Sequence, residues 1–254
     1  MSLSPGRVAA GGAALAGSLA LAQLLPAVSG LRRLRNIAMR GLAGVGSTGH
    51  VALTFDDGPD PVSTPEFLDA LDALEWRATF FMLGTMASAA PELVIEVAQR
   101  GHEVAVHGFK HANHLCRGPR WVSRDVLSAR DLLAELSGSQ PQWYRPPYGA
   151  LASSTLIAAR RAELQPVLWT TWGRDWRQGM TAESVVKEVE RSMVKGATVL
   201  LHDSDCTSAR GSWKATLAAL PLLGEAWAAR GLTVGPLSDH FLGIKGRRGG
   251  SSGS

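Results

Sequence analysis

Two adjacent carboxylates, Asp56 and Asp57, close the apolar run VALTF, and a third acid, Asp60, follows in DDGPDP. Like charges side by side at the end of a buried strand raise one another's pKa, and burying both in ionised form is costly. A divalent cation removes the conflict. One carboxylate then ligates the ion, while its neighbour, turned the other way by the alternation of side chains along a strand, is free to take a proton from water. Standing alone, DDGP also reads as an Asp-rich turn closed by Gly58 and Pro59, so the metal reading depends on partners elsewhere.

Those partners have the right chemistry. His107 and His111 in AVHGFKHANH are spaced by four, which predicts two imidazoles on one side of a helical turn. With one carboxylate they make a facial triad whose open positions take water and substrate, although the same spacing also describes a surface pair. His114 is a rival ligand. Arg145 in YRPPYG precedes two prolines that fix the chain's direction, and its guanidinium can hold a carboxylate bidentately. Asp175 in TTWGRDWR lies between Trp172 and Trp176, aromatic faces of the kind that line sugar sites or fill cores. His202, directly after ATVLL, is the candidate general acid, with Asp203 and Asp205 beside it as loop-orienting or rim residues. Asp60 is assigned to the turn, His50 and His240 are expected at the surface, and His102 is expected to hydrogen-bond locally.

The elements that position these residues follow from periodicity. Strands are predicted over 51–55, 78–84, 103–107, 142–145, 166–171, 198–202 and 232–235, and helices over 64–76, 89–100, 121–137, 152–162, 181–195 and 212–229. Thr64 is the expected N-cap of the first helix, with Pro65 and Glu66 in its first turn. Such alternation predicts an α/β fold of parallel strands with helical crossovers, and about seven strands favour a barrel over an open sheet. Polar residues follow directly on five apolar runs. In parallel α/β folds the carboxyl ends of the strands gather on one face, and that face carries the site.

Taken in order, TFDDGP, HGFKH, RPPYG, GRDW and VLLHD resemble the five motifs of the NodB-homology polysaccharide deacetylases, carbohydrate esterase family four, over about residues 48 to 240. The resemblance implies a deformed (β/α) TIM-like barrel and a metal-dependent hydrolase that removes N-acetyl, or in some members O-acetyl, groups from sugars. It implies that Asp56 is the catalytic base and that Asp57, His107 and His111 hold one divalent ion, usually zinc, with cobalt or another ion in some members. By the same resemblance Arg145 orients the base, the backbone N–H of Tyr148 stabilises the oxyanion, His202 protonates the leaving amine and Asp175 tunes that acid. Trp176, Leu200 and Pro147 would wall the acetyl pocket. There are two departures. Gly108 stands where the family usually has a Ser or Thr whose hydroxyl braces the loop, and Trp172 stands where an acidic residue is common.

The expected substrate is an acetylated amino-sugar glycan of chitin or peptidoglycan type. Alternatives are an O-acetyl esterase, or a sugar-binding pseudoenzyme, which the full set of acid and base residues disfavours. A phosphoester substrate is disfavoured because no cluster of basic residues surrounds the motifs. Nucleic acid is an unsuitable partner too: the net charge of +4 comes from the ends, and residues 46 to 242 carry 18 basic against 22 acidic groups. A monomer is expected.

Three parts are read in the chain: an N-terminal signal or membrane-associated segment and linker over 1–46, a catalytic domain over 47–242, and a flexible tail over 243–254. The 24 uncharged residues between Arg7 and Arg32 suit a signal peptide or a weak bilayer span, and the arginines that follow suit a helix on an anionic membrane surface. Both a membrane-associated or exported domain and one facing the cytoplasm fit these charges. Cys116 and Cys206 offer no metal spacing; they are either two free thiols or, in an exported domain, one disulfide near the site.

Overall fold

The computed structural model describes residues 37–241. The predicted N-terminal stretch between Arg7 and Arg32 and the predicted tail lie outside the described residues. No helix among the described residues is long and apolar enough to cross a membrane.

Eight parallel strands form one curled sheet: β1 His50–Asp56, β2 Thr79–Met82, β3 Glu103–Val106, β4 Trp143–Tyr144, β5 Gln165–Pro166, β6 Thr171–Trp172, β7 Thr198–His202 and β8 Thr233–Gly235. Around it lie α1 Arg40–Ala43, α2 Thr64–Ala73, α3 Gly84–Ala89, α4 Pro91–Gln99, α5 Pro119–Ser137, α6 Ser153–Arg161, α7 Ala182–Arg191 and α8 Trp213–Ala228. The sheet runs β5-β4-β3-β2-β1-β7-β6. One edge of β1 pairs with β8 through His50–Ala52 and with β2 through Thr54–Asp56, and its other edge pairs with β7.

The strand expected over 166–171 is two short strands. One continuous stretch pairs with β4 through Gln165 and Pro166 and with β7 through Thr171 and Trp172, so it joins the two ends of the sheet and curls it into a deformed barrel. Between the two pairings, Leu168 donates its N–H to Leu42 O, outside the sheet. Seven expected strands thereby become eight. The helix expected over 89–100 is also divided, because Ala90, at φ −139° and ψ 65°, leaves the helical region that a following proline disfavours, and Pro91 opens α4. Thr64 is not the cap of α2. Ser63 holds that position, and the Thr64 hydroxyl instead donates to Asp203 Oδ2 at 2.6 Å.

Alternation along the strands sorts the side chains into two layers. Val51, Leu53 and Phe55 of β1 join Phe80, Met82, Val104, Val199 and Leu201 in the outer core beneath the helices. Phe67, Leu68 and Leu71 of α2 and Leu220, Leu223 and Trp227 of α8 cover them. Each such fully buried Leu or Phe contributes about 1.5–3 kcal/mol. Ala52, Phe81, Ala105, Trp143 and Val167 form a separate inner cluster. The inward set of β1 therefore reads Ala52, Thr54, Asp56, and that of β7 reads Thr198, Leu200, His202. Asp56 and His202 are register partners.

Candidate active site

Asp56 ends β1 on the inner face, where an ionised carboxylate needs a buried partner. Arg145 supplies it from the end of β4. Its fully buried guanidinium donates to Asp56 Oδ1 at 2.6 Å, to Thr54 Oγ1 at 2.8 Å and to Leu168 O at 3.0 Å. The guanidinium also stacks 4.0 Å from the Phe81 ring centroid. Burial lowers the Arg145 pKa and the Asp56 charge opposes that fall.

Asp57 turns away from its neighbour. Its φ of 82° lies in the left-handed region, which a non-glycine residue occupies at a cost of about 1–3 kcal/mol. Tyr148, at φ 60°, is strained in the same sense across the site. Asp57 Oδ1 is buried with no hydrogen-bond partner, and it lies 3.3 Å from His107 Nε2 and 3.5 Å from His111 Nε2. His107 Nδ1 is 2.8 Å from Arg145 O, a group that only accepts, so Nδ1 carries a proton, and in the neutral form of the ring Nε2 points a bare lone pair at Asp57. Burial lowers the His111 pKa, with Asp57 opposing that fall. Burial works to raise the Asp57 pKa, but contact with His107 and the charges of His202, His107 and His111 hold it well below the usual carboxylate range.

Lone pairs facing one another at such distances repel unless a cation lies between them. One oxygen and two imidazole nitrogens, all within 4.8 Å of one another, form a donor set that can hold a divalent metal ion. The predicted helical turn is absent. His107–His111 is a loop in which Gly108, at φ 100°, leaves the helical region, and the rings converge by loop geometry.

On the other side of the site His202 Nδ1 lies 3.0 Å from Asp175 Oδ1, and the His202 backbone N–H donates to Asp175 Oδ2 at 2.8 Å. Burial lowers the imidazole's pKa, yet the Asp175 charge and hydrogen bond, with help from Asp57 and Asp56, raise it to about 10. His202 is a cation at neutral pH, its Nε2 3.9 Å from Asp57 Oδ2. These groups floor a cavity of about 260 Å³ walled by Tyr148, Trp169, Trp172, Trp176, Leu200 and Thr207.

Residues 43–167 match the family model described as polysaccharide deacetylase. A chitooligosaccharide deacetylase of Bradyrhizobium sp. (strain ANU 289) is 37% identical over 207 residues, covering 78% of this chain and 93% of the relative. This chain belongs to the polysaccharide deacetylase family. The deacetylase is also 32% identical over 173 residues to a peptidoglycan-N-acetylglucosamine deacetylase of Bacillus cereus, covering 68% of this chain and 62% of that one. Among solved structures, it superposes on the Bc1960 peptidoglycan N-acetylglucosamine deacetylase with a TM-score of 0.72 at 29% identity, covering 78% of this chain and 92% of the other. A family 4 carbohydrate esterase from Streptomyces lividans, in complex with acetate, gives a TM-score of 0.66 at 31% identity over 74% of this chain and 93% of that one. The curled barrel of the deacetylase is the architecture of these neighbours.

The remaining predicted residues of the deacetylase fall into place by burial. Arg145 and Asp175 stand behind the cavity, Arg145 against Asp56 and His107 and Asp175 against His202. Pro147 is buried and does not line the cavity. Asp203 is buried below the rim, where burial raises its pKa to about 7, and Thr64 donates to it. Asp60 accepts the amides of Val62 and Ser63, which is turn chemistry. His114 is buried away from the ligand group, and His102 Nδ1 accepts the amide of Ala78 across the sheet. His240 is not a surface residue: it is fully buried, and the half-buried His50 meets it with Nδ1 to Nδ1 at 2.9 Å. Cys116 and Cys206 are free thiols, and Cys206 Sγ lies 3.5 Å from Asp57 O.

Three contacts lay beyond sequence reasoning. The Thr207 hydroxyl donates to Asp57 Oδ2 at 2.5 Å, the Thr216 hydroxyl donates to Asp175 Oδ2 at 2.8 Å, and Trp169 joins the cavity wall. Thr207 and Thr216 reach back 150 and 41 residues, and no local pattern marks such a threonine.

Proposed function

We propose that this deacetylase hydrolyses N-acetyl groups of amino-sugar glycans, of chitin or peptidoglycan type, and releases acetate. The observation that carries the reading is the division between neighbours: Asp56 is tied to Arg145 while Asp57 Oδ1 faces two imidazole nitrogens with no donor of its own. The donor set suits one divalent ion, and its two imidazoles and one carboxylate favour zinc, with cobalt as a substitute. Held by Asp57, His107 and His111, that ion supplies Lewis acidity toward the acetyl carbonyl and acidifies a water.

The protein's own groups do the rest. Asp56, fixed by Arg145 through Oδ1, takes the proton of the attacking water at Oδ2, which lies on the His107 side at 3.8 Å from Nε2. Donation from the Tyr148 N–H stabilises the negative oxygen of the tetrahedral species. His202, kept charged by Asp175, gives its Nε2 proton to the departing sugar nitrogen, which leaves as an amine. Trp176, edge-on to His202 at 5.6 Å between ring centroids, and Leu200 wall the apolar space that suits an acetyl methyl. The uncharged stretch before Arg32 supports a membrane-associated or exported protein.

Acetate release tests this. With zinc or cobalt, the purified protein is expected to release acetate from chitooligosaccharides or peptidoglycan fragments, to stop on addition of a chelator and to recover with excess ion. Release from acetyl-xylan alone would reassign the bond to an O-acetyl ester. Tight sugar binding with no acetate under any ion would make the protein a binding module.

A further inference from the structure

The two histidines stand on a loop that neither helix nor strand holds in shape. Two backbone carbonyls of that loop are fixed from the start of α3: Gly84 N–H donates to Gly108 O at 3.0 Å and Thr85 N–H to Phe109 O at 2.9 Å. Its amides need acceptors on the opposite side. The hydroxyl that would brace the loop next to the first histidine is missing, because residue 108 is glycine.

Asp125 of α5 fills that gap. Its carboxylate is buried, Oδ2 accepting the Phe109 N–H and Oδ1 the Lys110 N–H, both at 3.0 Å. One planar group thus fixes two consecutive peptide units between His107 and His111. The glycine and the aspartate exclude one another's alternatives: a Cβ at residue 108 would lie 2.8 Å from Asp125 Oδ2, and the φ of 100° there disfavours any side chain. Val122, Val126, Ala129 and Leu133 seat α5 in the outer core, so the carboxylate rides on a rigid helix. Its other neighbour is the buried His114, whose Nε2 lies 3.7 Å from Oδ2 and whose Nδ1 is 3.2 Å from the Tyr144 hydroxyl. Tyr144 directly precedes Arg145, which orients both His107 and Asp56.

We propose that Asp125 is a positioning residue for the metal-binding loop. It replaces, from a distant helix, the brace that Gly108 cannot provide, and it sets the convergence of His107 and His111 without touching ion or substrate. The proposal rests on the reading of those two histidines as ligands, so its test uses readouts that need no glycan. Asp125→Ala, Asp125→Asn and the control Asp131→Ala, an exposed acid on the same helix, are titrated with Co²⁺ and followed by the ion's visible absorption. Amide hydrogen exchange at Phe109 and Lys110 is followed in parallel.

Asp125→Ala is expected to weaken Co²⁺ binding on the order of 10- to 100-fold and to speed exchange at both amides, while Asp131→Ala changes neither. Asp125→Asn keeps one oxygen acceptor. It is expected to lose protection at one of the two amides and to bind Co²⁺ with intermediate affinity. Wild-type affinity or wild-type protection in Asp125→Ala overturns the proposal, and should that variant not fold, the same result in Asp125→Asn does so. Failure of the wild-type protein to bind Co²⁺ is a different outcome, because it overturns the metal site itself.

Discussion

Arg145 and Asp56 meet at 2.6 Å with both side chains shut away from water, and that contact separates the roles of the two neighbouring acids. A carboxylate held at one oxygen by a buried guanidinium keeps its other oxygen in one place. Asp57, turned by its left-handed backbone toward the imidazoles, pairs with no guanidinium among the described residues; it faces His107 and His111 through Oδ1 and His202 through Oδ2.

Replacing Arg145 tests the value of that contact. Arg145→Met leaves Asp56 as a buried unpaired charge and is expected to cost about 3–5 kcal/mol in urea unfolding. Arg145→Lys keeps the charge but gives up the fork that also reaches Thr54 and Leu168. That variant is expected to fold and to lose on the order of 100-fold in acetate release, the scale of a small misplacement of a reacting group. A wild-type rate in Arg145→Lys would show that the fork has no positioning role.

The pH profile reports on His202. Its pKa is raised, to about 10, by Asp175, so the protonated form needed for donation persists through neutral pH and is lost only as pH climbs toward that value. Asp175→Asn removes the charge while keeping hydrogen-bonding atoms. The alkaline limb of the rate profile is expected to move to lower pH, and an unmoved limb would assign that limb to another group.

Stability in acid depends on a different histidine pair. His240 Nε2 is 3.1 Å from Gly196 O and therefore donates, which leaves Nδ1 bare to accept from His50 Nδ1. Burial, with His50 beside it, lowers the His240 pKa to about 4 from an ordinary 6.5. A depressed histidine contributes stability that is complete above the unfolded value and is lost as pH falls from about 6.5 toward about 4, since only the unfolded chain binds the proton there. Melting temperature should fall across that window. His240→Gln should flatten the fall, and an equally steep one would place the acid sensitivity elsewhere, His102 being the next buried histidine with a lowered pKa.

Much of this arrangement was legible in the sequence because strands reveal themselves by alternation and their polar endings share one face. TFDD, HGFKH, YRPP and VLLH each occupy the strand end their pattern predicts, and the register of Asp56 with His202 follows from adjacent parallel strands. Long-range contacts were not legible. In the sequence Asp125 is one acid among several on its helix, and only folding brings it against Gly108. Spacing misled where backbone freedom intervened, as in the HGFKH loop, where glycine replaces the expected helical turn. His240 was misplaced because it lies outside the strand endings, although its buried ring fills the space against Gly46.

The most direct test of the central claim compares the two neighbouring acids, with bound metal and acetate release measured on the same preparations. Asp57→Ala should lose the ion and, with it, turnover. Asp56→Asn should retain about one ion per chain and lose on the order of 10²- to 10⁴-fold in rate, the usual contribution of a general base. Full turnover in Asp56→Asn, or a full complement of metal in Asp57→Ala, would contradict the division of labour between them.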